Sequence, residues 1–360
     1  MSKVKHALGL NIWLLILSLA IPVVILLELT HANPTILFVL SAAGVIPLAA
    51  MIGEATEVLA EKIGPRMGGL LNATLGNAAE IIISVSALRA GLVSLVLASL
   101  TGSILGNLLL VLGLSLLAGG IKFGTQKFNR ENANIDATML ILAVIALGIP
   151  SIFNLELEPN FTAVEGLSIG ASIAMLVMYG LSIVYSLTAR KDKDEVDPLA
   201  RPAVHTGAGW GTRHAVIMLV VAVAFIVVLS EILVGSVESV TEALGLSEFF
   251  LGIILIPLVG NVAEHIVAMQ VSLKDQMDLS LSIAIGSSIQ VALFVAPLLV
   301  FISLLVGNPM QLEFSYFEIA AVMAASFIAA LVSLDGKSNW LEGAMLLIVY
   351  VILAVAFFFL

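Results

Sequence analysis

The feature that most restricts this chain is a succession of long apolar runs spread over its whole length, separated by short clusters of glycine, proline and charge. Breaking the sequence at those clusters gives eleven segments, near residues 11–29, 35–60, 66–90, 92–118, 137–153, 161–188, 213–241, 247–272, 278–306, 314–334 and 340–360. Each falls in or just above the range of about 17–25 residues with which a helix crosses a hydrocarbon core. Continuous apolar runs speak against a β-barrel, whose strands alternate over about 10 residues. Their number is too large for a signal sequence or a single anchor. Composition agrees: 60% of residues are hydrophobic and 11% charged, against about 25% charged in soluble domains. The expected fold is all-α and integral to a lipid bilayer. The absence of cysteine excludes disulfides, thiolate metal sites and thiol catalysis. A net charge of −10 argues against nucleic acid as a partner, because a phosphate-binding surface needs a basic face.

Basic residues gather in cytoplasmic loops, so their placement tests the count of spans. With the N-terminus in the cytoplasm, Lys3, Lys5, Lys62, Arg66, Lys122, Lys127, Arg130, Arg190, Lys191, Lys193, Arg201, Arg213, Lys274 and Lys337 all fall inside, and only Arg89 falls outside. Adding or losing one helix would invert every later loop. The longest polar loop, 189–212, is then a cytoplasmic linker that divides the chain near its middle.

The two sides of that linker repeat each other. Gly76-Asn77-Ala78-Ala79-Glu80 returns as Gly260-Asn261-Val262-Ala263-Glu264, an offset of 184 residues. The same offset relates Glu54 to Glu238, Gly68 to Gly252, Gly102 to Gly286 and Ser103 to Ser287. Setting aside residues 1–34 and their single helix leaves five helices in 35–188 and five in 213–360. Five is odd, so the second copy enters the membrane from the opposite face, the inverted repeat of secondary transporters.

Glu80 and Glu264 fall deep within their apolar spans, where a carboxylate costs at least about 2.5–3.5 kcal/mol and must face protein, water or an ion. Gly76 and Gly260 loosen the helix one turn before each glutamate, and Pro257 removes a backbone donor in the second copy. Carbonyls freed at membrane depth persist only where they line a cavity or bind an ion. Asn77 and Asn261 add amide oxygens. Two carboxylates with neutral oxygens and no sulfur suit a hard divalent cation. Ca²⁺ fits best, Mn²⁺ also satisfies the site, and Mg²⁺ fits less well because it sheds water reluctantly. When the cation leaves, two like charges in a poor dielectric repel, which favours proton uptake. Occupancy by metal or by protons, each excluding the other, is antiport. His265 adds a group that titrates near neutral pH beside Glu264. Ser103, Asn107, Ser287, Ser288 and Gln290 on the following helices are expected to line the site, although Gly-Ser pairs also serve close helix packing. Glu54 and Glu238 are the acids outside the motifs most expected to join them.

The motifs GNAAE at 76–80, GNVAEH at 260–265, GS at 102–103 and GSSIQ at 286–290 resemble those of the cation/Ca²⁺ exchanger superfamily, and within it the Ca²⁺/H⁺ antiporters. The resemblance spans essentially the whole chain. It implies that Glu80 and Glu264 bind Ca²⁺ and protons alternately, with help from nearby carbonyls and polar side chains. It also implies that the first two helices of each half rock or slide to alternate access. The Na⁺/Ca²⁺ branch differs in having Ser/Thr-rich repeats ending in Pro-Glu and further ligands for Na⁺; here Ala79 and Ala263 precede the glutamates, which favours protons as counter-ion. No cofactor is implied, Ca²⁺ being the substrate. A prokaryotic plasma membrane is the expected location, with an organellar membrane as the alternative, and a homo-oligomer is compatible with the sequence. A cation channel would also use acidic residues, but inverted repeats suit alternating access better. An intramembrane enzyme lacks support: the chain has no His-Glu-x-x-His or Gly-x-Ser-x-Gly motif.

Overall fold

A computed structural model describes residues 12–63, 68, 71, 74–157, 161–188 and 210–360. It is helical apart from a two-residue ladder that pairs Gln126 with Ser338 and Lys127 with Lys337. The helices are α1 (Ile12–Leu29), α2 (Pro34–Ile63), α3 (Ala78–Arg89), α4 (Val93–Phe123), α5 (Arg130–Leu157), α6 (Phe161–Thr188), α7 (Thr212–Gly235), α8 (Val237–Leu244), α9 (Glu248–Ser272), α10 (Met277–Val306), α11 (Tyr316–Ser333) and α12 (Trp340–Phe358). All except α3 and α8 are long and apolar enough to cross a membrane, ten in number among the described residues. The expected third span, 66–90, is described as an unbroken helix only over Ala78–Arg89, and much of its first half lies outside the described residues. The linker stretch 189–209 lies outside them as well.

Local sequence explains most boundaries. Ser315 and Asn339 open α11 and α12 with capping boxes closed by Glu318 and Glu342, each pairing the orphan amides of a helix start. Gly307, at φ 89°, ends α10 in the left-handed region where glycine has no Cβ penalty. The expected seventh span, 213–241, is split at Gly235-Ser236 into α7 and the short α8. The fifth begins seven residues before the expected 137, at Arg130, because Asn129 caps the amides of Glu131 and Asn132. Ile348, Val351, Ile352 and Val355 of α12 are all exposed, a helical stripe that makes sense against lipid tails rather than water.

The two halves run in opposite directions. The first-half helix α4 starts beside Arg89 and ends at Lys122, whose ammonium donates to the Leu273 carbonyl at 2.8 Å. Its partner by the 184-residue offset, α10, starts at that same end, where Asp278 accepts from the Asn129 amide at 2.5 Å. It finishes at the opposite end, where the Asn308 amide donates to the Leu88 carbonyl at 2.8 Å. The Lys122 end also holds Lys127, Lys274 and Lys337, whereas the other end carries Arg89 in an ion pair with Glu231 at 3.0 Å. That pair joins two largely exposed side chains, 63% and 54%, so exchanging Arg89 for glutamine is expected to change the melting temperature in detergent little. The effect corresponds to less than about 1 kcal/mol.

The repeat also governs helix irregularity. A π segment, Gly106–Val111, interrupts α4, and another, Val291–Val295, interrupts α10. Applying the 184-residue offset to the first brings it onto the second. Such single-turn insertions are rare and cluster at functional sites. The first begins three residues after Ser103 and the second directly after Gln290.

Candidate cation site

The first motif breaks its helix as expected. Gly76 and Asn77 form a turn, α3 starts at Ala78, and Glu80 lies in its first turn, where exposed amides favour negative charge. The second motif does not break at Gly260. There α9 runs without interruption through Gly260 and Asn261, and the irregularity falls upstream, in the π segment Leu251–Leu255. Pro257 accounts for the shift, since it has no amide to offer the Ile253 carbonyl one α-turn earlier. That carbonyl packs against Gly102 of α4, where a Cβ would collide with it.

These breaks bring the two motifs into contact. Ser103 Oγ donates to Glu80 Oε1 at 2.5 Å, and Asn261 Nδ2 donates to the same oxygen at 2.6 Å. Asn261 Nδ2 is also 3.3 Å from Ser103 Oγ. The position a Cβ would take on Gly260 lies 3.4 Å from Glu80 Cγ, so a carboxylate of one half rests on the motif of the other. On the second copy Ser287 Oγ donates to Glu264 Oε2 at 2.7 Å. The pairs Ser103–Glu80 and Ser287–Glu264 are each 23 residues apart and related by the repeat. The asparagines depart from the symmetry: Asn261 reaches Glu80, whereas Asn77 Nδ2 donates to Gln290 Oε1 at 2.8 Å across the halves.

Glu80, Asn77, Asn261, Ser103, Ser287 and Gln290 are all buried, and Glu264 is half-buried. Charge-assisted bonds from neutral donors hold a carboxylate in place without cancelling its charge. Among the described residues no three His, Cys, Asp or Glu side chains are grouped closely enough to hold a metal ion. A cation here would therefore draw on the two glutamates and on neutral oxygens of Ser, Asn and Gln. A crevice beside the site is lined by Ser103, Gly106, Pro257, Asn261, His265 and Tyr350, and His265 Nε2 is buried with no hydrogen-bond partner among the described residues.

Other expected residues stand differently. Ser288 donates to the Ala284 carbonyl of its own helix at 3.0 Å. Asn107 is buried in the π segment, its Nδ2 without a hydrogen-bond partner among the described residues. Glu54 is buried in α2, while its repeat mate Glu238 is exposed on α8, so these two acids do not share an environment. Glu318, a buried carboxylate next to α4, lies outside the motifs, and its signal in the sequence is Ser315-x-x-Glu318, a capping box placed just before an apolar run. Replacing Ser103 with alanine is expected to weaken divalent-cation binding roughly tenfold, the scale of losing a group that orients a ligand. Isothermal titration of the purified protein checks this.

An all-α membrane protein whose antiparallel halves each bring a Gly-Asn-x-x-Glu helix to one polar centre has the architecture of an inverted-repeat secondary transporter. The model of the sodium/calcium exchanger protein family matches residues 33–188 and 214–359, and the chain belongs to that family. It is 42% identical over 356 residues to a Ca²⁺/H⁺ antiporter of Aphanothece halophytica, covering 95% of both chains. It is 41% identical over 351 residues to the Ca²⁺/H⁺ antiporter ChaA of Bacillus subtilis, covering 97% of this chain and 99% of that one. Among solved structures it resembles native YfkE, with a TM-score of 0.84 and 40% identity over 96% of this chain and all of that chain.

Proposed function

We propose that the protein is a Ca²⁺/H⁺ antiporter in which Glu80 and Glu264 bind either one Ca²⁺ or protons. The observation that carries the reading is the repeat-related pair of Ser–Glu contacts, with Glu80 seated on Gly260 and Asn261 of the opposite half. The relatives' Ca²⁺/H⁺ antiport activity, together with an α4 that carries no carboxylate and an α10 whose one carboxylate is Asp278 at its very start, supports protons rather than Na⁺ as the counter-ion. Gly76 and Gly260 shape the backbone at the site. Asn77, Asn261, Ser103, Ser287 and Gln290 position the carboxylates or offer oxygens, and His265 adds a nitrogen to the adjoining crevice. Residues 35–188 and 213–360 act as the two halves, with the N-terminus and the 189–212 linker in the cytoplasm of a prokaryotic cell. The protein is thus a transporter of Ca²⁺, with no resident cofactor and no chemical turnover.

Everted membrane vesicles acidified inside are expected to take up Ca²⁺ and to release it when the pH gradient collapses. An imposed Na⁺ gradient that drives uptake where the pH gradient does not would favour Na⁺/Ca²⁺ exchange instead. Because the ligands must shed their protons to bind metal, Ca²⁺ affinity is expected to fall with pH. Two competing protons give a limiting slope of about two in log Kd per pH unit. Equilibrium binding between pH 5 and pH 8 measures that slope, and a flat profile would remove the competition.

A further inference from the structure

Three successive residues of α4 grip three different helices. Residues in an α-helix succeed one another by about 100° around the axis, so Thr101, Gly102 and Ser103 face three directions. Ser103 bonds Glu80 of α3 at 2.5 Å. Gly102 lies against the Ile253 carbonyl and Pro257 of α9. Thr101 Oγ1 donates to Glu318 Oε1 of α11 at 3.0 Å, and both residues are buried, at 1% and 4% exposure.

Glu318 is itself held rigidly. Its second oxygen accepts the Ser315 amide at 2.8 Å, and its own amide bonds Ser315 Oγ at 3.3 Å. The carboxylate is thus anchored to the start of α11 and leaves one oxygen to hold α4. Capping alone does not call for an acid with a free oxygen in an apolar interior, where a carboxylate is costly; a glutamine closes the same box. The repeat does not carry these two residue types over to the second half. Ile285 and Asn134 stand at the positions 184 residues from Thr101 and Glu318, yet Ser287 still bonds Glu264. The second-half Ser–Glu contact therefore forms without a hydroxyl at the position that matches Thr101.

We propose that Thr101 and Glu318 are a positioning pair that locks α4 to α11, fixing the rotation of α4 so that Ser103 meets Glu80. Neither residue touches the cation; both act through Ser103. The inference rests on the cation site proposed above. It also ties the two halves differently, α4 to α11 through Thr101 and Glu318 and α10 to the start of α5 through Asp278 and the Asn129 amide.

The test is a double-mutant cycle read as Ca²⁺ affinity in reconstituted wild-type and variant protein. Thr101→Val is expected to weaken Ca²⁺ binding roughly three- to tenfold, the worth of one buried hydrogen bond. Thr101→Ser, which keeps the hydroxyl donor, is expected to remain within about twofold of wild type. In a Ser103→Ala background Thr101→Val is expected to have no further effect, because the contact it supports has gone. A merely structural role would instead lower stability and multiply with Ser103→Ala. Thr101→Val binding like wild type, or multiplying fully with Ser103→Ala, overturns the proposal. Should Thr101→Val fail to assemble in membranes, Thr101→Ala removes the same hydroxyl with no added bulk and enters the same cycle. Glu80→Gln run in parallel separates the two readings: wild-type affinity in that variant defeats the cation site itself, whereas its loss beside an unaffected Thr101→Val defeats only the clamp.

Discussion

Glutamine in place of either Glu80 or Glu264 is expected to abolish Ca²⁺ transport, with a loss of more than about a hundredfold in the rate of uptake into everted vesicles. The substitution keeps size and hydrogen-bonding shape, so Ser103 and Asn261 still have an oxygen to address at residue 80, and Ser287 still has one at residue 264. What is removed is one of two negative charges facing a doubly charged cation. Groups that merely orient a metal ligand are already worth about ten- to a hundredfold, and loss of a ligand's charge exceeds that. Protonation also ceases at the substituted position, so exchange fails in both directions. Protein level and melting temperature are expected to hold, because an amide is cheaper to bury than a carboxylate. Aspartate at position 80, which keeps the charge but shortens the side chain, is expected to leave a small residual activity.

The second large effect is expected from Gly102→Val. A Cβ there would collide with the Ile253 carbonyl and lie 2.6 Å from Pro257 Cγ. Neither obstacle is the flexible end of a side chain, so α4 and α9 must separate. Overpacking typically costs about 1–3 kcal/mol. Here the displaced helices also bear Ser103 and Asn261, both bonded to Glu80, so cation affinity falls together with stability. The expected outcome is a variant without measurable high-affinity Ca²⁺ binding and with a melting temperature lowered by several degrees. Gly180→Ala on α6, where nothing lies within 4 Å of the new Cβ, is the matched control and is expected to behave as wild type.

That the chain is built of many membrane-crossing helices was legible because apolar length is a local property, and the opposite sense of α4 and α10 because the repeat offset relates them; of the eleven spans expected, ten helices qualify among the described residues, since much of the first half of 66–90 lies outside them. Ser103 and Ser287 were legible through the same offset, and both meet the acids of their own half. The form of the second helix break was not, because Gly260 marks the position by analogy with Gly76 while Pro257 frees the Ile253 carbonyl four residues before it and moves the irregularity upstream. Glu238 was expected to match Glu54, yet the break at Gly235-Ser236 detaches α8 from α7 and leaves Glu238 exposed. Asn77 and Asn261 look equivalent in sequence and bond different partners, since the repeat preserves residue type and not the side chain across the interface. Glu318 escaped notice for a related reason: its partner, Thr101, is 217 residues away, and no spacing rule links them.

The central claim, that one pair of buried acids trades a divalent cation for protons, is tested most directly by counting protons released when Ca²⁺ is added to purified protein in weakly buffered detergent solution. About two protons per bound Ca²⁺ are expected below the pH at which the free site ionises, falling to none when Glu80→Gln and Glu264→Gln are combined. Saturable Ca²⁺ binding without proton release, or release that survives the double substitution, would contradict the account.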